Sequence, residues 1–273
     1  MKTAVVTGAD GGMGREICRS LLDNGYSLIM ACLLPEAAMP FFRELQEKYI
    51  YPGGSLSIRM LQLDLASFAS VRSFASALEG TIINRLIHNA GILPLSTRLT
   101  EDGYDMISQV NYRAPLYLTR LLIPQLEMGS ATEDGARIIF TLSCTVDFGL
   151  IFRLRPSFLT HVPKTWAGRV IRYSHTKQAL YYASLSLAEK LKGQGIQVVS
   201  ADPGAVNTPL VTMNNFLDPL VNIFFRPLLS SPAKGASTAI WLATAGELSQ
   251  PYGGTYRKCK PRRFLVCKNI NNR

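Results

Sequence analysis

Tyr173 and Lys177 lie four positions apart in the run Tyr-Ser-His-Thr-Lys. On a helix this spacing places both side chains on one face, so the ammonium of Lys177 can lie near the phenol oxygen of Tyr173. An isolated tyrosine titrates near about 10 and holds its proton too tightly for efficient catalysis at neutral pH, whereas a neighbouring cation lowers that pKa. The pair predicts a proton donor, although the same spacing also arises by chance as an exposed pair on many helices.

A glycine-rich run from Thr7 to Gly14, Thr-Gly-Ala-Asp-Gly-Gly-Met-Gly, would provide this donor with a cofactor site. The run follows a short apolar segment, residues 3–7, and precedes apolar residues at helical spacing. A strand, a glycine turn and a helix in this order are typical of a loop that binds a dinucleotide pyrophosphate, because glycine has no side chain to block the backbone. The alternative is a glycine-rich turn that only packs a helix on a sheet.

Apolar strand-like runs alternate with helical runs along the chain. The six predicted strands are Thr3–Thr7, Ser27–Cys32, Ser57–Gln62, Arg85–His88, Arg137–Leu142 and Gln197–Ala201. This alternation predicts an α/β fold, a doubly wound Rossmann-like parallel sheet with helices on both faces, in a single domain over residues 1–273. Polar motifs follow four of the predicted strands, at the edge where an open α/β sheet binds its ligand.

The composition is that of a globular protein, since 47% of the 273 residues are hydrophobic and 18% are charged. The first predicted strand begins at Thr3, which leaves no room for a signal peptide ahead of it, and no stretch approaches about 18 uncharged apolar residues. Five cysteines lack a Cys-x-x-Cys pair, and with three histidines they offer no metal-site spacing. These features predict a cytoplasmic protein with reduced thiols and no metal.

Charge is distributed unevenly along the chain. Residues 1–150 hold 12 basic and 15 acidic side chains, a net charge of −3, whereas residues 151–273 hold 17 and 4, a net charge of +13. The basic half can be an ordinary solvated surface, or it can attract anionic lipid headgroups or a phosphorylated substrate carrier. Nucleic acid is not expected as a partner, because the basic residues lack interleaved aromatics and a recognisable binding module.

The order of the motifs resembles that of the classical short-chain dehydrogenase/reductase family, from about Thr3 to Tyr256. The glycine run looks like the cofactor loop of that family, Thr-Gly-x-x-x-Gly-x-Gly, and the segment Pro203–Pro209 is similar to the one that folds over the nicotinamide. The resemblance implies a set of cofactor-binding residues: Gly8, Asp10, Gly12, Met13, Gly14, Asp64, Leu65, Asn89, Ala90, Gly91, Tyr173, Lys177, Pro203, Gly204, Val206 and Thr208.

The same resemblance implies a catalytic tetrad of Asn111, Ser143, Tyr173 and Lys177. In the reducing direction, Ser143 and Tyr173 would hydrogen-bond the substrate carbonyl, and Tyr173 would then give up its proton. Lys177 would lower the tyrosine pKa and bind ribose hydroxyls, while Asn111 would hold a water that links Lys177 to solvent. The nicotinamide carries the hard chemistry, so the protein contributes placement and charge.

Four neighbours of the tetrad have alternative interpretations. Thr141 and Thr145 are candidates for the serine position, but Ser143 keeps register with the end of the predicted strand. No histidine is placed to activate Cys144, which we therefore interpret as a small buried thiol. His175 lies within the Tyr-Lys helical turn and is expected to point away from the substrate.

Two segments depart from the shortest family members and are predicted to be substrate-side insertions, at about 147–172 and 207–233. The second contains an apolar run, residues 210–229, which is either a helix docked on the core or a lid over an apolar substrate. Three runs are similar to the tail of retinol dehydrogenase-like members: Phe224–Leu229, Ser231–Ala236 and Gly253–Tyr256. The first insertion is basic, and its charged residues are Arg153, Arg155, Lys164, Arg169 and Arg172.

The sequence gives only weak evidence for the choice between NAD(H) and NADP(H). An acid at the end of the second strand typically binds the ribose hydroxyls of NAD, and a basic side chain accommodates the phosphate of NADP. Here the strand is followed by Leu33, Leu34 and Pro35, so neither signal is present. Because no acid repels a phosphate and Arg15 is a nearby cation, we expect a preference for NADP(H), with NAD(H) as the alternative.

These observations predict an NAD(P)(H)-dependent carbonyl reductase or alcohol dehydrogenase that acts on a bulky apolar lipid, steroid or retinoid-like substrate. The alternative is a catalytically idle dinucleotide-binding sensor or scaffold. Family members commonly pair through the helices of Asn111 and Tyr173, so a homodimer or homotetramer is expected, although Leu180, Leu185 and Leu187 can equally be core. The basic carboxyl-terminal half predicts peripheral contact with the inner membrane surface.

Overall fold

The computed structural model describes residues 2–94, 96–150, 156–204 and 231–265, and its strands form one sheet. The described strands are β1 (Lys2–Thr7), β2 (Tyr26–Cys32), β3 (Ile58–Gln62), β4 (Arg85–His88), β5 (Ala136–Thr141), β6 (Ile196–Ala201), β7 (Tyr252–Arg257) and β8 (Lys260–Pro261). The described α-helices are α1 (Gly12–Asp23), α2 (Pro35–Tyr49), α3 (Phe68–Ser76), α4 (Met106–Ser108), α5 (Ala114–Leu121), α6 (Ile123–Ser130), α7 (Trp166–Leu191) and α8 (Pro232–Thr244).

Strand order places a crevice in the middle of the sheet. The order is β3-β2-β1-β4-β5-β6-β7-β8, and every neighbouring pair is parallel except the antiparallel pair β7-β8. Val5 of β1 pairs with Ile29 of β2 on one side and with Leu86 of β4 on the other. The chain order reverses at β1, and such a switch point is where open α/β sheets bind ligands. The predicted fold class and all six predicted strands are confirmed.

Both faces of the sheet are buried because successive strand residues point to opposite sides. In β1, Val5 packs into the core shared with α5 and α7, whereas Ala4 and Val6 pack into the core shared with α1 and α8. The predicted helical spacing after Gly14 is realised in α1, whose buried side includes Ile17, Leu21 and Leu22. The sheet is therefore a rigid platform with both faces covered.

Two features of the fold escaped the sequence analysis. The strands β7 and β8 were not predicted, because β7 contains Gly253 and Gly254 and β8 has two residues, so neither carries a strong strand pattern. A π-helical turn, Gln109–Arg113, continues α4 and holds Asn111. Such turns occur mostly as single-turn bulges at functional sites and have no sequence period of their own.

The predicted insertions are only partly covered by the described residues. Two short 3₁₀ segments, Cys144–Leu150 and Pro156–Leu159, lie in the first, and α7 already begins at Trp166. Arg169 and Arg172 therefore belong to the long helix instead of a loop, and Arg153 and Arg155 lie outside the described residues. Residues 205–230, which hold most of the second insertion and the predicted apolar lid, also lie outside them.

Three leucines of α7 were candidates for either a dimer contact or the core. Leu180 is 2% exposed and belongs to the core, whereas Leu185 and Leu187 are partly buried and pack against it. The core interpretation therefore holds for Leu180. Within the described ranges, no helix has the length and apolar character that a bilayer crossing requires.

The burial of the His88 imidazole predicts that acid destabilises the fold. His88 Nε2 lies 2.7 Å from Thr119 Oγ1, and its ring stacks on Phe140 with centroids 4.8 Å apart. Burial lowers the pKa of His88 from 6.5 to about 3. The unfolded chain then binds this proton first, so stability is complete above about 6.5 and falls towards about 3, with a slope approaching about 1.4 kcal/mol per pH unit.

We expect urea denaturation at pH 7 and pH 5 to show this loss, and His88→Asn to reduce the pH dependence because the titrating ring is gone. His161 is exposed, so His161→Asn should keep the pH dependence of the unchanged protein. An unchanged pH dependence in the His88 variant would show that another group titrates.

Candidate active site

The loop between β1 and α1 depends on two glycines. Gly8 has a φ of +61°, and a Cβ at this position would lie 3.1 Å from Ala90 Cα. Gly14 sits where a Cβ would overlap the carbonyl oxygen of Gly8 and lie 2.9 Å from the carbonyl carbon of Ala9. The first glycine therefore allows a left-handed turn beside β4, and the second lets α1 begin directly under the loop.

The loop borders a cavity of about 650 Å³ at the carboxyl ends of β1 to β4. The predicted cofactor-binding residues that line this cavity are Gly8, Asp10, Gly12, Met13, Asp64, Leu65, Asn89, Ala90 and Gly91. Gly14 acts instead through the packing of α1, and Pro203 borders a separate cavity of about 320 Å³ near α8. Gly204 donates its amide to Asp202 Oδ1 at 2.9 Å, while Val206 and Thr208 lie outside the described residues.

Asn89 joins β4 to the glycine loop. Its Nδ2 donates to the carbonyl oxygens of Thr7 and Gly8, each at 3.1 Å. The hydroxyl of Thr7 accepts the amides of Asn89 at 3.1 Å and Ala90 at 3.0 Å. Thr7 is part of the predicted glycine loop, but the sequence does not indicate that its hydroxyl accepts these two amides. The two strand ends are thus held as one unit around the cavity.

The structure brings the four predicted catalytic residues together. Ser143 follows β5 and is hydrogen-bonded to the phenol of Tyr173 on α7. Lys177 Nζ lies 5.7 Å from the centroid of the Tyr173 ring. A Cβ on Gly91 would lie 3.3 Å from Asn111 Oδ1 and 3.5 Å from Lys177 Nζ, so these two polar groups converge on the bare backbone of that glycine.

Asn111 is held by backbone groups. Its Oδ1 accepts the amide of Ile92 at 2.7 Å, and its Nδ2 donates to the carbonyl of Ile92 at 2.8 Å. The side chain therefore positions the segment that follows Gly91. Both polar atoms of the Asn111 side chain are hydrogen-bonded to the backbone of Ile92. The predicted water between Asn111 and Lys177 therefore stays a prediction.

Burial sets the pKa values of the acid and its neighbour. Burial is the main cause that raises the pKa of Tyr173 to about 12, while the hydrogen bond from Ser143 acts to lower it and the neighbouring Cys144 adds a smaller upward contribution. Burial also lowers the pKa of Lys177 to about 8. The net shift of the Tyr173 pKa is therefore upward, opposite to the lowered value that the sequence predicted, and the contribution of Lys177 stays a prediction. The ammonium donates to the carbonyl of Thr141 at 2.8 Å, and burial of the phenol dominates.

Thr141 and Thr145, the alternative candidates for the serine position, each contact a member of the tetrad. Thr141 contributes its carbonyl to Lys177, and the amide of Thr145 donates to Ser143 Oγ at 3.3 Å. Cys144 is a free thiol, partly exposed instead of fully buried as predicted. The ring of His175 lies 6.5 Å from that of Phe158.

A segment near the carboxyl terminus packs against the loops that follow β5 and β6, and the sequence did not predict this contact. Arg262 forms ion pairs with Asp147, at 2.9 Å, and with the fully buried Asp202. Phe264 is also fully buried, and its ring lies 5.1 Å from that of Tyr181 on α7. These contacts link the loops that follow β5 and β6. No local sequence pattern announces them, because Arg262 and Asp147 are 115 positions apart.

The arginine that lines the cavity is Arg98, and not Arg15, which we expected to be the cation near the cofactor phosphate. Arg15 Nε donates to the carbonyl of Asp10 at 2.9 Å, and its guanidinium lies 4.9 Å from the ring of Phe41. Arg15 is thus directed towards α2. Arg98, which the sequence analysis did not single out, lines the cavity together with Leu33.

The family model and three curated relatives that match this chain are all described as dehydrogenases or reductases. A family model described as short chain dehydrogenase matches residues 2–153. Polyprenol dehydrogenase of Danio rerio is 32% identical over 266 residues, covering 93% of this chain and 77% of the relative. Retinol dehydrogenase 14 of Homo sapiens is 31% identical over 280 residues, covering 97% and 80%. Dehydrogenase/reductase SDR family member 13 of Bos taurus is 32% identical over 259 residues, covering 93%, and the chain spans 65% of its length.

Solved structures share the fold at lower identity. The NADPH-bound carbonyl reductase from chicken fatty liver has a TM-score of 0.69 at 20% identity, covering 94% of this chain and 96% of that one. A short-chain dehydrogenase from Sphingobium yanoikuyae in complex with NADPH has a TM-score of 0.70 at 19% identity, covering 100% and 92%.

Proposed function

This chain belongs to the short-chain dehydrogenase family of oxidoreductases, and from that premise we propose that it interconverts a carbonyl and an alcohol on a bulky apolar substrate with a nicotinamide dinucleotide. One observation carries the proposal: Tyr173 is hydrogen-bonded to Ser143 and has Lys177 Nζ 5.7 Å from its ring centroid, while Lys177 and Asn111 converge on Gly91, which lines the glycine-loop cavity. A protein that only bound dinucleotide would need the cavity but not this cluster.

The residues around the cavity fit a dinucleotide. A side chain at Gly8 or Gly14 would collide with neighbouring backbone, so the two glycines keep the loop tightly turned before α1. The amides of Gly8, Ala9 and Gly11 donate within the protein, whereas Gly12 and Met13, at the start of α1, line the cavity where a helix N-terminus can bind a pyrophosphate. Asp64 and Leu65 line the cavity beyond β3, where they would meet the adenosine. When bound, the nicotinamide supplies or accepts the hydride.

The proton chemistry falls to Tyr173. A pKa raised to about 12 keeps its phenol protonated at neutral pH, so the group holds the proton that a substrate oxygen would receive. Because this pKa lies far above neutral, proton transfer would depend on groups that stabilise the phenolate. Ser143, hydrogen-bonded to the phenol, would hold the same substrate oxygen. Lys177 keeps a large charged fraction below its pKa of about 8, and its ammonium would then stabilise the phenolate left by proton transfer.

NADP(H) is the dinucleotide that we favour for this site. Leu33, at the end of β2, lines the cavity with an apolar side chain and so presents no carboxylate to repel a phosphate on the ribose. Arg98 lines the same cavity and adds a cation. Both features support NADP(H) over NAD(H), and the choice is open to a direct kinetic test.

A long isoprenoid carbonyl or alcohol is the substrate class that we favour. The support comes from relatives named for retinol and polyprenol, and from the apolar composition of residues 210–229. Three further expectations stay predictions: a homodimer or homotetramer, a cytoplasmic location, and membrane contact through the basic carboxyl-terminal half.

The test is to incubate the purified protein with NADPH or NADH and with retinal, a long-chain polyprenal, a ketosteroid or a small polar ketone. We expect the fastest oxidation of dinucleotide with NADPH and an apolar carbonyl. A clear preference for NADH would overturn the cofactor proposal. Dinucleotide binding without turnover of any carbonyl would instead identify an idle binding protein.

A further inference from the structure

A buried ion pair connects the two helical segments that carry Asn111 and Tyr173. Arg172, the residue before Tyr173 on α7, has Nη1 3.8 Å from Asp105 Oδ1, and the two side chains are 8% and 0% exposed. The sequence analysis counted Arg172 among the basic residues of an insertion. Its burial and its acidic partner exclude that interpretation, because an uncompensated arginine is rarely buried.

Asp105 organises the start of the segment that carries Asn111. Its Oδ1 accepts the amide of Ser108 at 3.1 Å, which caps α4, and lies 3.1 Å from the hydroxyl oxygen of Ser108. Its Oδ2 accepts the hydroxyl of Thr97 at 3.0 Å. Both carboxylate oxygens therefore accept hydrogen bonds, and these bonds fix the position of the Asp105 side chain. Asparagine in this position would keep much of the cap but lose the charge.

Arg172 meets the same group of atoms from α7. Its Nη1 lies 3.3 Å from Ser108 Oγ, which in turn donates to the carbonyl of Phe158 at 2.6 Å. The guanidinium lies 6.0 Å from the centroid of the Phe158 ring. The amide of Asp105 donates to the carbonyl of Leu159 at 2.9 Å. The segment Pro156–Leu159 is thus fastened over the point where α4 and α7 meet.

The location of this cluster matters because the π turn begins directly after Ser108. Asn111 lies three positions further along, within that turn, and reaches both backbone groups of Ile92. A π turn is less favourable than a regular α-helical turn and persists where its surroundings hold it. If the start of the segment were released from α7, Asn111 would rotate away from Ile92 and from Lys177.

We propose that Arg172 and Asp105 are positioning residues, whose ion pair holds the π turn of Asn111 in register with the helix of Tyr173. This inference rests on the proposed function, since its consequence is measured as turnover. A displacement of about 1 Å among catalytic groups can cost about a hundredfold in rate. Most residues that line the dinucleotide cavity lie on other elements, so dinucleotide affinity should change much less.

The experiment compares Arg172→Met, the charge-free pair Asp105→Asn with Arg172→Met, and Arg172→Lys. We expect kcat at saturating substrate to fall about tenfold to a hundredfold in the first two, while the Kd for NADPH changes less than about threefold. Lysine at 172 should recover most of the loss because it restores a cation. Arg172→Met alone leaves the charge of Asp105 buried and unpaired, which can unfold the chain. The double variant removes both charges, so its kcat can still be measured in that case.

Arg169→Met is the matched control, since Arg169 lies one turn earlier on α7 and donates to the carbonyl of Lys164. It should keep the kcat of the unchanged protein. A double variant with kcat within threefold of the unchanged protein would overturn the inference, and so would equal losses of kcat and NADPH affinity. Absence of turnover in the unchanged protein would reject the proposed function instead.

Discussion

Replacing Tyr173 with phenylalanine is expected to remove carbonyl reduction and to leave dinucleotide binding nearly unchanged. The substitution deletes one oxygen, and that oxygen is the proposed proton donor, hydrogen-bonded to Ser143. A positioned general acid contributes about a hundredfold to ten-thousandfold, so kcat should fall by at least about a hundredfold. The glycine loop and Asn89 lie on other elements, so the Kd for NADPH should stay within about threefold.

The measurement pairs steady-state NADPH oxidation with a fluorescence titration of NADPH. Tyr49→Phe is the matched control, because it also deletes a phenol oxygen, one that donates to Asp23 Oδ1 at 2.7 Å on an exposed surface. The control should retain full turnover. The proposed role fails if the Tyr173 variant keeps a tenth of the activity, or if binding and turnover fall by the same factor.

Alanine in place of Gly14 should abolish tight dinucleotide binding, although alanine is the better helix former. Its Cβ would overlap the carbonyl oxygen of Gly8 and lie 2.9 Å from the carbonyl carbon of Ala9, and these are backbone atoms with little freedom to move. The loop would have to shift, and its amides would lose their alignment on a pyrophosphate. We expect the Kd for NADPH to rise at least about tenfold, a cost of about 1.4 kcal/mol or more.

Titration of NADPH by fluorescence, with circular dichroism to establish that the chain is folded, measures this effect. Gly193→Ala is the control, since a Cβ at Gly193 meets no atom within 4 Å. It should bind NADPH as tightly as the unchanged protein. An unaltered Kd in the Gly14 variant would mean that the loop tolerates a shift and that the pyrophosphate is held elsewhere.

The sequence was informative wherever the signal is local. The six predicted strands match β1 to β6 to within a residue or two at each end, because buried parallel strands appear as short apolar runs separated by helical spacing. The glycine loop and the Tyr-Lys pair are local patterns as well. The relation of Ser143 to Tyr173 depended on the family resemblance, since nothing in the intervening residues shows that the two side chains meet.

By itself, the sequence determined the class of the fold, the edge of the sheet at which ligands bind and the residue types gathered there. Only the tertiary structure decided how those residues act on one another. Burial raises the pKa of Tyr173 above its ordinary value although Lys177 lies nearby, and Arg172 proved to be the partner of Asp105. The reason is physical: periodicity reports which face of an element is apolar, whereas burial and ion pairing depend on atoms brought together from distant parts of the chain.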